Sequence, residues 1–131
     1  LMHKCYLAKV SSLPFVIWGS GKPLRQFIYS SDLASLMLWY LLDSVKTKPV
    51  IFATDPKDEI TIAEAAKMVA EAMDFKGEIV FDGSKADGQF RKTCSNAELR
   101  GMKPDYKFVP IGSAIKDTVV WFEHNYATCR K

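Results

Sequence analysis

Thr61-Ile62-Ala63-Glu64 is the stretch that most constrains what this chain folds into. A threonine three residues ahead of a glutamate permits two reciprocal bonds: the Glu64 N–H donates to the Thr61 hydroxyl, and the Thr61 N–H donates to the Glu64 carboxylate. Behind this capping box Ile62, Ala65, Ala66, Val69 and Met73 recur at helical spacing, which predicts an amphipathic helix. An apolar run lies on each side of it. "PVIFAT", Pro49 to Thr54, and "GEIVFD", Gly77 to Asp82, both read as strands, the first closed by the polar "DPKDE".

The remaining elements follow from the same signals. Leu1, Cys5 and Ala8 share one helical face with Lys4 beside it, so residues 1 to about 10 are expected to be helical. Phe15 to Trp18 reads as a strand after Pro14. "SGKP" is turn chemistry, and Phe27 to Tyr29 is expected to be a second extended piece. Ser30, Ser31 and Asp32 offer caps for a helix running to about Ser44. Ser95 or Asn96 is expected to cap a short helix ended by Gly101. Ser113 is expected to cap a last helix marked by Ile115, Val119, Phe122 and Tyr126. Helices interleaved with short strands make this a small α/β domain of α+β character. The regular strand-turn-helix units of a doubly wound dinucleotide fold are not evident.

Composition narrows the function classes. The chain has 131 residues, room for one domain with its own core, and its 18 basic against 15 acidic residues leave a net charge of +3 with no long basic run. That balance does not call for a nucleic acid and suits an anionic small ligand at a local basic cluster. The most apolar stretch, Leu33 to Leu42, is about half the length that spans a bilayer and sits between Asp32 and Asp43, so a buried helix and no membrane anchor are expected. Cys5, Cys94 and Cys129 have no metal-ligand spacing and His3 and His124 form no pair, so no metal site is expected and a reducing, cytoplasmic setting is. The opening "LMHKCYLAKV" lacks the apolar core of a signal peptide and is expected to be part of a longer chain.

Gly19-Ser20-Gly21-Lys22-Pro23-Leu24 matches two glycines of a dinucleotide loop and lacks the third. Pro23 stands where a phosphate loop needs a hydroxyl residue, and no helix N-terminus follows directly, so a turn is the favoured reading. Arg25 lies between that turn and the apolar "FIY". It is either a surface arginine paired with an acid or a fork for two phosphate oxygens. Trp18 either fills the core or offers a flat wall to a ring. The loop "SKADGQFRK" gathers Lys85, Asp87, Arg91 and Lys92, a solvated face on one reading. On the other, Asp87 accepts from sugar hydroxyls while Lys92 and Lys4 meet phosphate as point charges.

Taken in order, "VIWGSGKPLRQFIYSSDLA", "EITIAEAAKMVAEAMDFKGEIVFD", "KADGQFRKTCSNAELR" and "WFEHNY" resemble the C-terminal substrate-binding domain of the GDP-L-fucose synthase family, within the extended short-chain dehydrogenase/reductases. The resemblance covers essentially the whole chain and is to the animal-type enzymes. It implies that residues 1–131 are the substrate-binding domain of an NADPH-dependent 3,5-epimerase/4-reductase converting GDP-4-keto-6-deoxy-D-mannose to GDP-L-fucose, a homodimer without its Rossmann domain here. Position by position it implies GDP-sugar contacts at Lys4, Trp18, Arg25, Asp87 and Lys92, with Arg25 and Lys4 facing the diphosphate.

The departures are as informative. The family's glycine fingerprint and Tyr-x-x-x-Lys pair are not found: Val10, Leu33, Ser44, Pro110 and Arg130 stand four residues after the five tyrosines. The resemblance therefore implies no catalytic and no cofactor-binding residue in this chain, with NADPH held elsewhere, and a chain inactive alone. Another nucleotide-sugar epimerase or dehydratase, or a noncatalytic anion-binding or interaction module, are the alternatives.

Overall fold

The computed structural model describes residues 1–43 and 48–131. In chain order the elements are α1 (Met2–Ser11), β1 (Phe15–Trp18), β2 (Leu24–Arg25), α2 (Ser30–Leu42), β3 (Ile60–Thr61), α3 (Ile62–Ala72), β4 (Ile79–Asp82), α4 (Ala97–Met102) and α5 (Ile111–His124). Two short sheets organise them. β1 runs parallel to β4, with Phe15 opposite Ile79 and Trp18 opposite Asp82. β2 runs antiparallel to β3, with Leu24 opposite Thr61 and Arg25 opposite Ile60.

Alternation along β1 decides what points where. Phe15 and Ile17 are buried while Val16 and Trp18 face out, the period of two that a half-buried strand imposes. Under the buried face lies the core: Cys5 and Ala8 of α1, Ala66, Val69 and Ala70 of α3 with Met73 just beyond it, and Ile115, Val119 and Phe122 of α5. Phe15 is fully buried, a burial that contributes about 1.5–3 kcal/mol relative to an exposed ring. The Lys9 ammonium donates to the Met73 carbonyl at 2.6 Å, occupying an acceptor left open at the end of α3.

The expected helix behind the capping box is present, with both reciprocal bonds made. Several local expectations are corrected by distant partners. Pro49–Thr54 forms no strand, and two of its backbone carbonyls are taken by side chains, Ala53 by the Asn96 amide and Thr54 by the Gln26 amide. The second extended piece is Leu24–Arg25 rather than Phe27–Tyr29. Tyr29 is the N-cap residue of α2, and none of Ser30, Ser31 and Asp32 caps it, because the buried Asp32 carboxylate accepts from the Tyr106 hydroxyl and the Val109 N–H. The helix reaches Leu42; the expected end at Ser44 lies outside the described residues. Asn96 does sit at the N-cap of α4 but spends its side chain on Asp55, Gly101 lies inside that helix, and Ser113 is the third residue of α5 rather than its cap. Tyr126 falls beyond α5 and stacks on Tyr6 with ring centroids 3.9 Å apart. Among the described residues no helix is long and apolar enough to cross a membrane.

Candidate functional site

The outward register of β1 leaves Trp18 64% exposed, so the core-filling reading of this residue is excluded. Lys4, on the facing side of α1, places its ammonium 3.9 Å from the centre of the indole. Such a cation–π contact holds both side chains in place, with the indole still largely exposed. Together with Leu7, Leu13 and Val16 they wall an open groove of about 440 Å³.

After Trp18 the chain turns through Gly19 and Gly21, whose φ angles of 89° and 73° a side chain would strain. The space a Cβ would need is taken by the Asp87 carboxylate at Gly19 and by the Phe81 ring at Gly21. This turn is therefore filled by the protein itself and is not an open cradle for a pyrophosphate. It does not fit a dinucleotide cofactor.

What the turn does is receive the loop after β4. The Ser20 N–H and hydroxyl donate to the two Asp87 oxygens, the hydroxyl bond at 2.7 Å. Those bonds hold the Asp87 carboxyl below its usual range. Further on, the Leu24 N–H donates to the Phe90 carbonyl at 2.9 Å, and Leu24 bridges Arg91. The Gln26 carboxamide and the Cys94 main chain exchange a pair of bonds. Residues 20–26 and 87–94 thus lie zipped side by side.

Arg25 sits within this zipper and pairs with no acid there. Its Nη1 donates to the Leu24 carbonyl at 2.6 Å and its Nη2 to the Gln89 carbonyl at 2.9 Å. A guanidinium has five N–H donors, so three stay open for a bidentate anion while the two bonds fix the plane of the fork. Lys92 is exposed on the zipped loop between Arg91 and Thr93, both of which bond the Glu59 carboxylate. The structure thus groups Lys4 with Trp18 ahead of the turn, sets Asp87 on the turn itself, and places Arg25 and Lys92 in the zipped segments beyond it. Asp87 is tied to Ser20 rather than free. Reasoning from sequence missed Ser20, Gln26 and Glu59, because each acts on a partner more than thirty positions away and carries no local signature.

Residues 1–52 match the NAD dependent epimerase/dehydratase family. Over its full 131 residues the chain is 50% identical to the GDP-L-fucose synthase of Dictyostelium discoideum. The chain belongs to the GDP-L-fucose synthase family. It spans 41% of that relative's length. It is also 49% identical over 117 residues to a probable GDP-L-fucose synthase of Drosophila melanogaster, covering 89% of this chain and 36% of the relative. The crystal structure of a GDP-L-fucose synthetase from Naegleria fowleri superposes with a TM-score of 0.97 at 46% identity, over all of this chain and 40% of that one. A second structure of the Naegleria enzyme, TM-score 0.95 at 45% identity over 99% of this chain and 40% of that one, is bound to NADP. The fold is accordingly a small α/β one that matches part of the C-terminal domain of an extended short-chain dehydrogenase/reductase.

Proposed function

We propose that this chain is the GDP-sugar-binding domain, residues 1–131, of an NADPH-dependent GDP-L-fucose synthase, which epimerises and reduces GDP-4-keto-6-deoxy-D-mannose. In this reading the enzyme is a homodimer whose NADPH and reacting acid and base lie outside this chain; the glycine turn here, filled by Asp87 and Phe81, has no room for the cofactor's pyrophosphate. The observation that carries the reading is the exposed Trp18 indole, braced by Lys4 at 3.9 Å, at the start of the turn that leads to Arg25. A base stacked on an aromatic ring contributes about 1–3 kcal/mol. Each charge-assisted bond from an arginine to phosphate adds about 1.5–3 kcal/mol. Arg25 and Lys4 face the diphosphate, and Trp18, Asp87 and Lys92 border the nucleotide-sugar pocket, Trp18 offering its ring to the base. Holding the sugar in register with reacting groups elsewhere is how such a domain serves catalysis.

Calorimetric titration of the intact enzyme with GDP, GDP-fucose and a short RNA tests this. Saturable GDP binding is expected, reduced at least about tenfold by Arg25→Ala, the loss of one charged hydrogen bond. Arg25→Lys, which keeps the charge and loses the fork, should fall between the two. Binding of RNA without GDP would replace the reading with that of a noncatalytic module. The chain of 131 residues by itself is expected to consume no NADPH with the keto-sugar, and turnover at the intact enzyme's rate would refute its assignment as the binding domain.

A further inference from the structure

Glu59 precedes β3 at the end of a short 3-10 turn, Pro56–Asp58. Its side chain is only 4% exposed, an unusual place for a carboxylate that carries no part in the core. Both of its oxygens are occupied. Oε2 accepts from the Arg91 Nε at 2.7 Å, and Oε1 accepts from the Thr93 hydroxyl. These two bonds, the Thr93 bond first, hold the carboxyl below its usual range.

The two residues it grips are the sequence neighbours of Lys92. Arg91 is in a ladder with Leu24, and the Cys94 N–H donates to the Gln26 side chain, so this segment lies extended against β2. Alternate side chains of an extended segment leave from opposite sides. Arg91 and Thr93 both bond Glu59, so this alternation directs Lys92, exposed like its two neighbours, away from the carboxylate. A carboxylate whose side chain is almost covered thus grips both sequence neighbours of a surface lysine, and the two bonds offset the cost of burying its charge.

We propose that Glu59 is a positioning residue for Lys92, clamping Arg91 and Thr93 so that the lysine is held at the border of the nucleotide-sugar site. The proposal rests on the reading of Lys92 as a substrate contact. A lysine has many rotamers to order on binding, and fixing the backbone it leaves from lowers what binding must still order.

The test is steady-state kinetics of the intact enzyme with its GDP-keto-sugar, using Glu59→Gln, Lys92→Ala, the double variant and Thr93→Val. Lys92→Ala should raise KM about tenfold, the loss of a charged contact, and Glu59→Gln about three- to tenfold with kcat within about twofold. The double variant should match Lys92→Ala alone, because a residue that acts through Lys92 has nothing left to position. Thr93→Val removes one of the two grips while keeping the side-chain shape, and should give a smaller rise in KM with an unchanged melting midpoint. A Glu59→Gln effect of equal size in both backgrounds, or no effect where Lys92→Ala has one, overturns the clamp and leaves the substrate reading intact. An unchanged KM for Lys92→Ala removes the substrate reading and the clamp with it.

Discussion

Gly21 shows how much a single position carries. Its φ of 73° lies in the left-handed region, and the missing side chain is what lets the Phe81 ring and Ala63 close over the turn. Its carbonyl also accepts from the Ala63 N–H at 2.9 Å, so the turn is stitched to the first residues of α3. Gly21→Ala combines backbone strain with a collision, and should destabilise the protein by about 1–3 kcal/mol, read as a lower urea midpoint at unchanged slope. Gly83→Ala is the control, since a Cβ there meets nothing within 4 Å and its φ is not in the left-handed region. That a turn occurs at Gly19–Gly21 was legible from residue type alone. Which residues fill it was not, because Asp87 reaches Ser20 across 67 positions and no spacing in the sequence encodes that meeting.

Among the elements, those with locally encoded ends were legible and those ended by distant partners were not. α3 begins where Thr61 and Glu64 say it does, since both partners of the capping box lie within one turn. Thr61→Ala should cost about 0.5–2 kcal/mol, and a urea titration finding no loss would mean that packing of α3 against α5, not the cap, sets the start of the helix. By contrast Asp32 has the residue type of a cap and spends its carboxylate on Tyr106 and Val109, more than seventy positions on. Pro49–Thr54 has the composition of a strand, yet its carbonyls at Ala53 and Thr54 go to Asn96 and Gln26. In β1 the four apolar residues in a row could not say which two face the core. Packing of α1, α3 and α5 on the Phe15 and Ile17 face is what turns Trp18 outward, and with it the candidate site.

At the scale of the whole molecule, segments far apart in sequence are joined by two polar clamps whose residues lie outside the main hydrophobic cluster. Asp55 receives Arg100 through two bonds, Nε to Oδ1 at 2.9 Å and Nη2 to Oδ2 at 2.7 Å, plus the Asn96 amide at 2.7 Å. Arg100 also donates to the Tyr106 carbonyl at 2.6 Å, while the Tyr106 hydroxyl donates to Asp32 at 2.9 Å. The Arg100 and Asn96 bonds pull the Asp55 carboxyl down from 3.8 to about 2. Burial, followed by the bond to Asp32, pushes the Tyr106 phenol up from 10.0 to about 12. A depressed acid stabilises the fold above its unfolded value, and that contribution fades as pH falls from about 4 toward 2. A raised phenol acts in the opposite direction, with its contribution intact below 10 and lost as pH rises toward 12. The Asp55 and Arg100 side chains are 23% and 26% exposed, and solvent screening holds the acid-side effect to about 1 kcal/mol. Melting midpoints measured across pH should therefore drop at both ends. Asp55→Asn should flatten the acid limb only in part, because Glu59, Glu64, Asp74, Asp82 and Asp87 are also held low by their bonds, and should leave the alkaline limb as it was. Tyr106→Phe should flatten the limb between 10 and 12 and leave the acid one unchanged. If Asp55→Asn altered both limbs alike, Asp55 would be acting through general packing, and the two clamps would be one cooperative unit joined through the bond from Arg100 to the Tyr106 carbonyl.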